Sequence, residues 1–134
     1  AIFAVADSGR VTIVDVVESR EMVRSAPHVG MVVPTGTSAT SLAILAHLDD
    51  DGCAALLGSP PSAEVRAELA RIRDRGWSLN ASQPGATSVG AVVLDRDGRP
   101  LGAIAVAALA ERLPPGEHDA YGRLVADAAR SLSA

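Results

Sequence analysis

The chain has 134 residues, 48% of them hydrophobic, and a formal net charge of −4; this is enough for one buried core and excludes wholesale disorder. Aromatic side chains are limited to Phe3, Trp77 and Tyr121, so the core must be aliphatic and no stacking platform for single-stranded nucleic acid can be assembled. All twelve basic residues are arginines, none set apart from acidic neighbours, whereas a surface that tracks phosphates needs a basic excess.

In chain order, Ile2 to Ala6 is β-prone and Val11 to Val17 is rich in β-branched residues. With Ser8-Gly9 between them, the two runs predict a hairpin. Met22 to Val29 offers a third strand interrupted by Pro27, and Gly30 to Gly36 reads as a connection carrying Pro34. Thr37-Ser38 then supplies hydroxyl caps for a helix that is apolar on nearly every face, from Ala39 to Leu48. Asp49-Asp50-Asp51 caps a short helix ending near Gly58. Pro60-Pro61-Ser62 opens an amphipathic helix to Arg75, with Val65, Leu69 and Ile72 at helical spacing and Gly76 as its stop. Val89 to Leu94 and Pro100 to Leu109 flank Asp97-Gly98 as a second hairpin. After Pro114-Pro115-Gly116, a last helix places Tyr121, Leu124, Val125, Ala128 and Leu132 on one side. The order of strands, helices, strands and helix predicts an α+β fold, an antiparallel sheet with helices packed on it, in a single domain over 1–134.

Catalytic chemistry finds little support. His28, His47 and His118 are scattered, and no Gly-x-Ser-x-Gly elbow occurs, since Gly36-Thr37-Ser38-Ala39-Thr40 ends in Thr. One cysteine and three dispersed histidines make no zinc site, and the run at Asp49 lacks the spacing of a calcium loop. No phosphate loop or dinucleotide fingerprint is present. The expectation is therefore no enzyme, no metal and no cofactor. Cys53 excludes an internal disulfide and fits a reducing compartment. The longest apolar run, Ala103 to Ala110, is too short to cross a bilayer, and no basic n-region opens the chain; a cytoplasmic protein that does not engage membranes is expected. Ala1, without an initiator Met and directly before a strand, suggests a piece of a longer protein.

What stands out is polarity at a buried helix start. Thr35, Thr37, Ser38, Thr40 and Ser41 crowd the head of the most apolar helix. Free amides and hydroxyls there suit an anion such as a carboxylate. Ordinary capping by solvated loop residues is the equally weighted alternative. Thr87-Ser88, just after Gly85, begins an otherwise apolar strand and reads either as a second polar patch or as a strand edge facing water.

These segments, taken together, resemble the effector-binding domain of bacterial regulators of the isocitrate-lyase-regulator (IclR) type. The likeness begins at Val17-Glu18-Ser19-Arg20, Val23-Arg24-Ser25 and Val29-Gly30. It continues through Gly30 to Ala46, where a proline precedes a small-residue helix start. Glu68 to Trp77 ends in Arg-x-x-Gly and an aromatic, and Pro84 to Asp95, Gly98 and Ala103 to Val106 follow the closing hairpin. Order and spacing carry the resemblance over nearly the whole chain.

The resemblance implies a GAF-like fold, self-association as dimers or tetramers, and a small-molecule effector. It also implies DNA binding only through an N-terminal winged helix-turn-helix domain that is absent from this chain. It assigns the pocket to Thr37, Ser38, Ala39 and Thr40, to Asn80 where an Asp is usual, and to Ser88 where a Cys is common. Ala105 and Ala107 stand where serines are frequent, with Met22 and Val33 as apolar walls. Gly36 replaces a usual His, and Ser41-Leu42 a Gly-Lys pair. The lost hydroxyls and acid imply a larger or more apolar ligand than pyruvate or glyoxylate, an organic or aromatic acid held by amides of the 38–40 turn. The alternatives are a free-standing GAF- or PAS-like signalling module and a pocket-less dimerisation domain. The apolar sides of the helices at Val65–Ile72 and Tyr121–Leu132 are candidate association surfaces, with core packing the expected use of each.

Overall fold

A computed structural model describes residues 1–7, 9–17, 28–82 and 84–133. Six strands form one antiparallel sheet: β1 (Ile2–Asp7), β2 (Arg10–Val16), β3 (Val32–Val33), β4 (Ser78–Asn80), β5 (Ala86–Leu94) and β6 (Pro100–Leu109). Their spatial order is β3-β2-β1-β6-β5-β4. The two predicted hairpins sit as expected, Asp7 pairing with Arg10 and the β5–β6 turn carrying Gly98 at φ +79°. Two strands went unpredicted. β3 lies inside the stretch read as a connection, and β4 follows Trp77; neither is long enough to show alternation. Of the predicted strand from Met22 to Val29, residues 22–27 lie outside the described residues, while Val29-Gly30 forms a turn.

The helices are α1 (Ala39–Leu45), α2 (Asp50–Leu57), α3 (Ala63–Arg75) and α4 (His118–Leu132). Ser38, Asp49 and Ser62 cap the first three by accepting amide hydrogen bonds from Ser41, Gly52 and Val65. Each cap thereby satisfies one orphan donor of its first turn. Gly76 ends α3 at φ +89°, a conformation that spares a glycine the usual Cβ clash. α1 stops three residues before the predicted Leu48, in a turn closed by His47 N to Ile44 O and Leu48 N to Leu45 O.

The sheet is covered on both faces. Alternate residues of the central strands point to opposite sides. Ala4, Val92 and Ala103 meet Ala43 and Ile44 of α1 on one side. Val89, Ala91 and Val93 meet Val125, Ala126 and Ala129 of α4 on the other. α2 and α3 lie behind α1, where Leu42, Leu45, Cys53, Leu69 and Ile72 make a third cluster. The predicted stripe of α3 is therefore core, with Leu69 and Ile72 buried.

The predicted stripe of α4 is not core. Val125 points inward, but Leu124 and Leu132 are 64% and 60% exposed, and Tyr121 and Ala128 also face outward. The buried side is Gly122, Val125, Ala126 and Ala129. Small residues win the inward face because the Trp77 ring fills the space in front of Gly122: a Cβ built there would overlap ring atoms. Between the end of α4 and the central strands β1 and β6 a groove of about 470 Å³ opens, lined mainly by Phe3, Val17, Leu101, Ile104 and Leu132.

Gly122→Ala sets two effects against each other. Alanine gains about 1 kcal/mol over glycine within a helix, whereas overpacking costs about 1–3 kcal/mol or more. The clash with an indole is expected to win, giving net destabilisation in a urea melt. A net gain in stability would show that Trp77 yields freely.

Candidate functional site

At the head of α1 the hydroxyls divide into two groups. The Ser38 Oγ accepts from Ser41 N at 3.3 Å and donates to Ser41 Oγ at 2.7 Å. The Ser41 hydroxyl donates to the Pro34 carbonyl at 2.9 Å, with the Ser38 carbonyl 3.0 Å away. These two serines thus tie the loop to the helix, as simple capping requires. Thr40 differs. It is 1% exposed, and its Oγ1 is buried with no hydrogen-bond partner among the described residues. A buried hydroxyl left unpaired costs free energy that a protein ordinarily avoids.

The sheet supplies a floor. Across β4, β5 and β6, Ser78 pairs with Gly90 and Gly90 with Ala105; one step along, Asn80 pairs with Ser88 and Ser88 with Ala107. Strand alternation places all six on the α1 face. The first row is where α1 lands. Ser78 Oγ donates to the Ala39 carbonyl at 2.6 Å, and a Cβ on Gly90 would come within 2.8 Å of that same oxygen. From there α1 runs toward Val92 and Ala103, which cluster with Ala43 and Ile44. The second row therefore lies ahead of the helix head. Asn80, Ser88 and Ala107 are half-buried there, while Ala105 is buried. Asn80 Oδ1 accepts from Ser82 N and Ser82 Oγ at 3.0 and 2.6 Å, which fixes its carboxamide.

The structure thus seats Ala39, between Ser38 and Thr40, on Ser78 and Gly90, and carries Asn80, Ser88, Ala105 and Ala107 on that same face of the sheet. Val33 is buried in the cluster with Val11, Ile13 and Ala43, and Thr37 is exposed in the turn before the helix. Met22 lies outside the described residues. None of the assembled side chains is charged, so the available chemistry is hydroxyl, carboxamide and main-chain amide: a site that can hold and orient a guest. Sequence reasoning missed Ser78 and Gly90. β4 was invisible, but a glycine inside an apolar strand was a usable sign of close backbone approach.

Other reactive groups are occupied elsewhere. The His47 and His118 rings sit 3.1 Å from the carbonyls of Ala43 and Leu113. Cys53 donates to the Leu45 carbonyl, and burial, helped by Asp50 and Asp49, pushes its thiol pKa up, which is the reverse of an activated nucleophile. Among the described residues no group of three His, Cys, Asp or Glu side chains could hold a metal ion, and no helix is long and apolar enough to cross a membrane. Thr40→Val keeps shape and branching while deleting the unpaired hydroxyl. It is expected to stabilise the ligand-free chain by about 1 kcal/mol in thermal unfolding; a loss of stability would mean that the hydroxyl is already paired.

The fold has relatives. A family model described as bacterial transcriptional regulator IclR C-terminal matches residues 1–134. Among solved structures, the Agobacterium tumefaciens repressor BlcR superposes with a TM-score of 0.85 at 22% identity, over 98% of this chain and 57% of that one. Thermotoga maritima IclR gives 0.84 at 18% identity, over 98% and 58%. The inducer-binding domain of a double mutant of the Acinetobacter transcription factor PobR, in complex with 3-hydroxybenzoic acid, gives 0.80 at 18% identity, over 99% and 86%. The chain thus spans little more than half the length of BlcR and IclR. No match was found among curated proteins. These relatives are regulator domains and not enzymes, and the whole-chain family match settles the assignment: the chain belongs to the family of C-terminal domains of IclR-type bacterial transcriptional regulators.

Proposed function

We propose that this domain senses a small organic acid, with an aromatic acid the favoured class, at the head of α1. The observation that carries the reading is the buried Thr40 hydroxyl, without a partner among the described residues, on the helix that lands on the sheet face carrying the half-buried Asn80, Ser88 and Ala107. Unpaired donors cost stability in the free protein and are recovered when a guest accepts from them. The alanine at 107 leaves an apolar floor for the body of the ligand, while amides at the helix head suit its carboxylate. The PobR inducer-binding domain, similar in fold, was solved with 3-hydroxybenzoic acid. In the proposed protein, ligand favours one arrangement of α1 and its preceding loop. That preference shifts the geometry of an assembly acting in the cytoplasm, which reads DNA only through an N-terminal winged helix-turn-helix domain.

Calorimetric titration with 3-hydroxybenzoate, benzoate, pyruvate and glyoxylate tests this. Aromatic acids are expected to bind more tightly than the two small keto acids, and ligand at 100 times its Kd should stabilise the fold by about 2.7 kcal/mol. Ala107→Leu, which fills the floor, should weaken binding at least ten-fold with little change in Tm. Unchanged affinity in that variant would put the ligand elsewhere, and no heat from any acid would leave the pocket-less association domain as the better reading.

Self-association belongs to the same proposal. With α3 used in the core, the outward stripe of Tyr121, Leu124 and Leu132 on α4 is the favoured surface for a dimer or tetramer. Light scattering after size exclusion should find an oligomer that Leu124→Glu reduces to monomer; an unaltered mass would remove α4 from the interface.

A further inference from the structure

Two adjacent residues at the start of β4 act on opposite faces of the sheet. Ser78, 0% exposed, holds the carbonyl of Ala39, the first residue of α1, and also lies 3.3 Å from the Gly90 carbonyl. Trp77 points the other way, into the cluster of Val89, Val125 and Ala126. Its ring rests directly on the backbone of Gly122 in α4. It is held from its own side as well. The Arg75 guanidinium carbon lies 4.0 Å from the ring centroid, and Arg75 Nε donates to the Trp77 carbonyl at 2.7 Å.

We propose that the Trp77–Ser78 dipeptide couples the head of α1 to α4 through the sheet, with Ser78 as the positioning residue and Trp77 as the contact that transmits. The physical basis is the lack of slack. The Ser78–Ala39 bond is short, and Gly122 presents no side chain whose rotation could absorb a shift of the indole. Close-packed interiors pass such displacements on. A movement of Ala39 that drags Ser78 must therefore tilt Trp77 against α4. Its ligand-driven use rests on the site reading above; the coupling itself does not.

Amide hydrogen exchange on the ligand-free chain tests the coupling directly. Ser78→Ala is expected to raise exchange about ten-fold both in residues 39–45 and in residues 118–129, across the sheet. Emission from Trp77, the sole tryptophan, should shift to the red. Ser88→Ala, on the same floor but without a bond to Ala39, should change neither. Coupling is reciprocal, so Trp77→Phe should loosen residues 39–45. This second variant decides the matter if Ser78→Ala fails to fold. Changes confined to the α1 side, or an equal rise in every segment including α2, would overturn the proposal.

Titration of 3-hydroxybenzoate followed by both calorimetry and Trp77 emission separates the two readings. Heat accompanied by a change in emission supports the coupling, and heat with silent emission overturns its use by ligand. Absence of heat beside intact Ser78–α4 coupling would sink the ligand reading alone.

Discussion

The contact on which the rest depends is that of the Ala39 carbonyl with β5. A helix head normally stands off a sheet by the thickness of side chains. Here Gly90 removes that spacer, and Ser78 supplies a hydrogen bond to the oxygen that arrives. α1 is therefore seated on backbone at its first residue, while Ala43 and Ile44 seat the next turn on Val92 and Ala103. With both points fixed, the helix axis is fixed relative to the half-buried row of Asn80, Ser88 and Ala107 on the same face of the sheet. A larger residue at position 90 would lift the head and shift α1 relative to that row.

Legibility in the sequence followed the range of the interaction. Ser38, Asp49, Ser62 and Gly76 were readable because a cap is a bond to a residue three or four places away. The hairpins were readable because their turns are local as well. β3 and β4 were not, since two or three residues cannot display a period, and both exist only because a neighbouring strand pairs with them. The inward face of α4 was misread for a related reason. Amphipathic reasoning gives weight to large apolar residues such as Leu124 and Leu132, whereas the packing is decided by Trp77, remote in sequence, which admits only small residues opposite it.

The candidate site was legible in part. Ser38 to Thr40, Asn80, Ser88, Ala105 and Ala107 came from resemblance, and the strand register places the last four on the face where α1 lands. The division of labour among the hydroxyls could not be read. Ser38 and Ser41 turn out to bind each other, and Ser41 the Pro34 carbonyl, so two of the five hydroxyls that first drew attention are scaffolding. Only the geometry distinguishes Thr40 from its neighbours.

That distinction bears on what the site is for. A chain selected only for stability would have little reason to keep a threonine at position 40, because valine fills the same volume without an unpaired donor. A site kept for binding has such a reason, since a group left unsatisfied in the free state contributes most when a guest satisfies it. The floor argues in the same direction from the opposite chemistry. In the proposed site, the Ala107 methyl offers no orientation to a compact polar metabolite, but it excludes water from beneath a flat apolar one. On the proposed reading, a polar head lies toward Thr40 and an apolar body over Ala107, which is the division of surface found in an aromatic acid.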